Sequence, residues 1–116
     1  MSLLRNVGRG KIRLIEDWMN QQTIVVIGSY IVNQDWTIDV KGSIWLNDNK
    51  IETMPEYIKF GKIDGNFNCS GCENLKSLKG APKEVDGHFV CLGTRFSEED
   101  VRNVVNDVKG NVYCSK

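Results

Sequence analysis

Val40-Lys41-Gly42-Ser43-Ile44-Trp45-Leu46 returns three times along the chain. The copies are Ile63-Asp64-Gly65-Asn66-Phe67-Asn68-Cys69, Val85-Asp86-Gly87-His88-Phe89-Val90-Cys91 and Val108-Lys109-Gly110-Asn111-Val112-Tyr113-Cys114. Each reads β-branched, charged, Gly, polar, apolar, any residue, then Leu or Cys. The glycines at 42, 65, 87 and 110 set steps of 23, 22 and 23 residues. A period of this length marks a solenoid, in which each repeat stacks on the last and shares its core. Residues two apart on a strand share a face. Ile44/Leu46, Phe67/Cys69, Phe89/Cys91 and Val112/Cys114 are therefore expected inside. The recurring Gly is expected to allow a tight approach into each strand.

The residues after each strand sharpen this. Ile44-x-Leu46-x-x-Asn49-x-Ile51, followed by Met54-Pro55, fits the leucine-rich-repeat template L-x-L-x-x-N/C-x-L. The second copy offers Phe67-x-Cys69-x-x-Cys72 with Leu75 and Leu78, and the third Phe89-x-Cys91-x-x-Thr94-x-Phe96. Asn49, Cys72 and Thr94 fall where the chain bends away. A short polar side chain there can bond backbone groups that the bend leaves unpaired.

A solenoid needs caps. At the front, Ile12, Ile15, Trp18 and Met19 recur at helical spacing. The apolar run from Thr23 to Val32, the polar Asn33-Gln34-Asp35 and then Trp36 to Val40 predict a hairpin covering the first repeat. At the back, Ser97 is the expected N-cap of a helix whose first turn holds Glu98, Glu99 and Asp100. Val101, Val104, Val105 and Val108 form its stripe, with Val108 already in the last strand. The expected architecture is α/β: a short leucine-rich-repeat-like solenoid with a small, mainly parallel sheet. It is one domain over residues 1–116, with an N-terminal helix-and-hairpin cap at 11–39, repeats at 40–96, and a C-terminal helix and final strand at 97–116.

Composition agrees with a folded chain. Among 116 residues, 41% are hydrophobic and 26% charged, and fifteen basic residues balance fifteen acidic ones. Zero net charge gives no overall pull toward nucleic acid or an anionic membrane. A local basic cluster exists at Arg5, Arg9, Lys11 and Arg13. No apolar run reaches the roughly 20 residues a membrane helix needs, and Met1–Gly10 has no apolar signal core. The expected location is the cytoplasm.

Leu75-Lys76-Ser77-Leu78-Lys79-Gly80-Ala81-Pro82-Lys83-Glu84-Val85-Asp86-Gly87, flanked by Phe67-Asn68-Cys69 and Phe89-Val90-Cys91, resembles the short leucine-rich-repeat-like proteins of large tailed bacteriophages. Phe96-Ser97-Glu98-Glu99-Asp100-Val101-Arg102, with Val108-Lys109-Gly110-Asn111-Val112-Tyr113 after it, is similar to how those proteins end. The opening helix and Trp36–Gly42 are similar to how they begin. The resemblance spans about residues 11 to 116. It implies a scaffold made inside an infected bacterium that binds and neutralises a host protein such as a defence factor. It implies no catalytic motif. The chain departs from longer members in having very few repeats, so its binding surface would be small.

Chemistry-bearing residues are few. Cys69-Ser70-Gly71-Cys72 reads as C-x-x-C, and Cys91 and Cys114 follow, so zinc must be weighed. Yet Cys69, Cys91 and Cys114 occupy the repeat position of Leu46, as small apolar residues of a core column do. Strands about 4.8 Å apart spread three such cysteines too far for one tetrahedral site. No metal, cofactor or redox pair is expected. His88, the only histidine, has Asn66 and Asn111 beside it and no acid or nucleophile, so no catalytic residue is assigned. P-loop, dinucleotide-binding, zinc-protease and nucleophile-elbow motifs are missing from the sequence.

The outward strand face carries the functional expectation. By parity Trp45, Asn68, Val90 and Tyr113 form one outer column, and Ser43, Asn66, His88 and Asn111 the next. Apolar residues in a solvent-facing column mark an interaction site, and Trp and Tyr are enriched in binding hot spots. Trp45, Asn68, His88, Val90 and Tyr113 are the expected partner-binding residues of a non-catalytic scaffold. The alternative to a cap or the N-terminal arm covering that column is a bound host protein. A rival function is nucleic-acid binding through the basic N-terminus and exposed aromatics. Trp18 and Trp36 are expected in the cap's core. If the edge of the final strand is open, it would pair a second copy into a homodimer.

Overall fold

A computed structural model describes residues 2–116, with side chains from Arg9 onward. Helix α1 (Ser2–Met19) leads into a hairpin of β1 (Ile24–Val32) and β2 (Ile38–Leu46). These nine-residue strands pair antiparallel along their whole length, Ile24 opposite Leu46 and Val32 opposite Ile38. At the turn, Asp35 Oδ1 accepts from the Thr37 backbone N–H at 3.1 Å and from its hydroxyl at 2.6 Å.

β2 is the first rung of two parallel ladders. Its first half pairs with β3 (Phe60–Ile63), followed by β5 (Glu84–Val85) and β7 (Asp107–Val108). Its second half pairs with β4 (Phe67–Asn68), followed by β6 (Phe89–Cys91) and β8 (Val112–Cys114). The protein is thus an α/β solenoid of about three turns with a parallel sheet, the hairpin at one end and helix α2 (Glu98–Val104) near the other. Ser97 caps α2 through a reciprocal box: its hydroxyl accepts from Asp100 N at 3.2 Å, and Asp100 Oδ2 accepts from Ser97 N at 2.9 Å.

Each heptapeptide expected as one strand is, beyond the first, two short strands joined at a corner. A column of glycines makes that corner. Gly65 N donates to Gly42 O at 2.7 Å, Gly87 N to Gly65 O at 2.9 Å, and Gly110 N to Gly87 O at 2.9 Å. A Cβ on Gly87 would lie 2.6 Å from the Gly65 carbonyl oxygen, and one on Gly110 2.5 Å from that of Gly87. Close stacking of backbone on backbone therefore demands Gly at 65, 87 and 110. Only at Gly42, facing Gly28 of β1, does a positive φ (+136°, with +117° at Gly28) also require it. There the continuous antiparallel partner carries β2 around the bend without a break.

The inward columns are as the parity predicts. Val40, Ile63 and Val85 are fully buried, as are Ile44, Phe67 and Phe89, then Leu46, Cys69 and Cys91. Val112 and Cys114, in the outermost turn, are half-buried. Phe67 packs on Phe60 and on Phe89 with ring centroids 5.5 and 5.1 Å apart, and Trp18 of α1 reaches Phe60 at 6.3 Å. Each such aromatic contributes about 2 kcal/mol or more by burial. Ile15, Trp18 and Met19 join this core, whereas Ile12 is exposed, as is Val104 of α2. Trp36 is half-buried against the core, with the Lys11 ammonium 4.9 Å over its ring. Val108 lies in β7, one strand earlier than expected.

The bend residues divide. Thr94 is buried and its hydroxyl donates to Cys91 O at 2.6 Å, and the buried Cys72 Sγ donates to Leu46 O at 3.4 Å. Asn49 is exposed and makes no inward bond of this kind; its carbonyl accepts from the Asn74 side chain at 2.6 Å. The first turn thus lacks the buried asparagine that the template places there.

Candidate protein-binding face

The outward face carries two side-chain columns two residues apart along the chain, and they differ in kind. In the first, Ser43 Oγ accepts from Asn66 N at 2.9 Å. Asn66 Oδ1 accepts from His88 N at 2.8 Å, and His88 Nδ1 from Asn111 N at 2.9 Å. Each side chain satisfies a backbone N–H of the next turn that the corner leaves out of the sheet. In the His88 ring, Nδ1 is the acceptor, so the proton of the neutral ring sits on Nε2. The histidine is therefore tied into the corner through one nitrogen, with Asn66 and Asn111 beside it as expected.

In the second column Trp45 pairs with Asn68, Asn68 with Val90, and Val90 with Tyr113 in the parallel register. The structure brings all four into line. Asn68 has a local use, since its Oδ1 accepts from Ser70 N at 2.9 Å. Tyr113 is held from one side: the Asn111 amide donates to its hydroxyl at 3.0 Å, and its ring lies 5.4 Å from that of His88. Trp45 and Tyr113 nonetheless leave 43% of their surface to solvent. Neither ring is covered by a cap among the described residues.

Sequence reasoning missed the contribution of β1. Val25 lies opposite Trp45, Ile27 opposite Ser43 and Ile31 opposite Asp39. All three face outward and are exposed, Ile27 at 67%. Val25 therefore extends the apolar column past Trp45, and Ile27 lies beside it at the head of the polar column. The stretch Ile-Val-Val-Ile-Gly-Ser-Tyr-Ile-Val is apolar at both parities, so period-two alternation could not tell which side faces out. Only its register on β2 decides that.

The cysteines lie beneath this face. Cys69, Cys72 and Cys91 are fully buried and Cys114 is half-buried. Burial, then the neighbouring cysteines, pushes the Cys69 thiol well above the ordinary thiol range. Burial raises Cys72 as well, and burial together with Cys114 takes Cys91 up to about 12. Thiols so disfavoured as thiolates are poor nucleophiles. Cys91 and Cys114 side chains lean together, Sγ to Sγ 2.6 Å, closer than the strand spacing suggests. Among the described residues, no group of three or more His, Cys, Asp or Glu side chains converges as metal ligands would.

Charges gather on the other side of the glycine corner, just before it. Asp86 Oδ1 and Oδ2 lie 3.3 Å from Lys109 Nζ and 3.5 Å from Lys62 Nζ. Burial works against ionisation here, but the two ammonium groups outweigh it and hold the carboxyl below its usual range. In the N-terminal basic cluster, Arg9 and Arg13 are exposed and Lys11 lies over Trp36; the Arg5 side chain is outside the described residues. No helix among the described residues is long and apolar enough to cross a membrane. Compared with protein-family models, with curated proteins and with solved structures, the chain matches none.

Proposed function

We propose that this protein is a non-catalytic binding scaffold of the leucine-rich-repeat kind. It acts in the cytoplasm of a phage-infected bacterium, where it binds and modulates or inhibits a host protein such as a defence factor. The observation that carries the reading is the Trp45 column. Exposed Trp45, flanked by exposed Val25 and Ile27 and aligned through Val90 with exposed Tyr113, has no use within the fold. Exposed aromatics grouped on a rigid sheet are what protein interfaces place at their centres. Asn68 and His88 flank these anchors as polar contacts. The resemblance to phage repeat proteins supplies the partner class.

Affinity capture from bacterial lysate tests this, with mass spectrometry of the retained proteins. A host protein held by wild type should be lost by Trp45→Ala/Tyr113→Ala. With that protein purified, Trp45→Ala and Tyr113→Ala should each weaken binding by about 1–2 kcal/mol. Unchanged binding in both single variants would refute the reading. If nucleic acid is retained instead, with affinity that falls steeply as salt rises, the rival function holds.

A further inference from the structure

The two ends of the sheet are unlike. At one end lie β7 and β8, two and three residues long, with Lys109 and Lys116 close by. At the other lies β1, nine residues without Asp, Glu, Lys, Arg or Pro. Among the described residues β2 is the one strand that pairs with β1, so its second edge is open. Natural sheets protect such edges with charge, proline, bulges or brevity. Here none of these devices is present.

The open groups can be assigned. Asn47 N donates to Thr23 O at 2.8 Å and Asn33 N to Thr37 O at 2.8 Å. These bonds fix the alternation of the antiparallel ladder: odd-numbered residues of β1 bond to β2. The N–H and C=O groups of Val26, Gly28, Tyr30 and Val32 therefore point away from β2 toward the open edge. The end of helix α1 lies beside this strand, where Met19 and Asn20 share a groove with Val26, Gly28, Ser29 and Tyr30, but among the described residues no group of α1 bonds the backbone of Val26, Gly28, Tyr30 or Val32.

We propose that β1 is a homodimer interface in which two copies pair edge to edge, antiparallel, about a two-fold axis at Gly28. Gly28 is the central residue of the nine, and its φ of +117° bends the strand at its midpoint. Centring the axis there sets bend against bend. A shift of register would set a bend against straight strand. Val26 then bonds Tyr30 of the partner copy, and the Ile24 carbonyl, whose residue's N–H already bonds Gln21 O, accepts from Val32 of the partner copy, with each pair occurring twice. On the outward face Ile27 meets Ser29 of the partner copy and Val25 meets Ile31 of the partner copy. The absence of charge leaves nothing to repel a second copy. The axis is perpendicular to the sheet, so both Trp45 columns face the same way. The interface is independent of whether those columns bind a host protein.

Sedimentation of the whole protein, from micromolar to several hundred micromolar, tests the interface together with amide hydrogen exchange. A dimer is expected, with the amides of Val26, Gly28, Tyr30 and Val32 protected more as concentration rises. Those of Val25, Ile27, Ser29 and Ile31, already bonded to β2, should not change. Ile27→Glu/Ser29→Glu sets carboxylates directly opposite one another at both pairs of exposed positions, and should yield a monomer. Ile27→Lys/Ser29→Lys should also be monomeric, and an equimolar mixture of the two variants should dimerise. A wild type monomeric throughout would overturn the proposal. So would a dimer that persists in the Glu variant, or a mixture that stays monomeric.

Discussion

Ser43, Asn66, His88 and Asn111 stand one residue from the corner; Trp45, Asn68, Val90 and Tyr113 stand two further along the chain. The first column is polar because the fold uses it: three of its four side chains accept a backbone N–H from the next turn. The second is largely apolar and the fold uses it little, through one turn bond at Asn68 and the contacts of Asn111 and His88 to Tyr113. Adjacent columns on one surface thus answer to different demands. Stability explains the first. Binding is the proposed explanation of the second.

The largest expected effect strikes the corner under the first column. Gly87→Ala forces a methyl group against the Gly65 carbonyl and the Asn66 side chain. It should cost about 3 kcal/mol in urea unfolding. A loss below about 0.5 kcal/mol would mean the turns can spread, and the stacked corner is not what holds them. Next comes the inward cysteine column, which lies beneath both. Folding raises the Cys91 thiol above its ordinary value of 9.0 to about 12. The folded state thus keeps a proton that the unfolded chain releases. The stabilisation is complete below pH 9 and is lost as pH rises toward 12, by about 1.4 kcal/mol per unit for one thiol. Urea midpoints should fall from pH 9 to pH 11, and less steeply in Cys91→Ala. A midpoint independent of pH over that range would show the thiols to be open to water.

The smallest effect separates the two uses of His88. His88→Ala leaves Asn111 N without its acceptor and should cost about 1 kcal/mol. His88→Asn supplies the acceptor that Asn66 supplies one turn earlier, and should unfold within about 0.5 kcal/mol of wild type. If Asn is as harmful as Ala, the ladder bond does not explain the histidine.

Much of this was legible because the repeat is written four times. Gly spacing gave the solenoid turns, and parity gave the inward and outward columns, including the line from Trp45 to Tyr113. The helix start showed itself in Ser97 and the acidic residues after it, though not the reciprocal bond from Asp100 to Ser97 N. The corner was not legible. Nothing within Val85-Asp86-Gly87-His88-Phe89 says that it splits into β5 and β6; the split depends on carbonyls of the turn beneath and on acceptor side chains from that turn. Nor was the apolar outer face of β1 visible, since both parities of Ile24–Val32 are apolar. Asn49 met the template but not its burial, because in the first turn Asp48 accepts from Lys50 N and Asn49 points to solvent. Helical spacing placed Ile12 and Val104 on apolar stripes whose margins the core does not reach.

The most direct test of the division between the columns is retention of the captured host protein by two folded variants, one from each column. Trp45→Ala/Tyr113→Ala should lose it. Asn66→Ala, which removes a ladder acceptor and none of the proposed anchors, should keep it while unfolding at lower urea. Retention by the first variant, or loss by the second with its circular dichroism unchanged, would contradict the account.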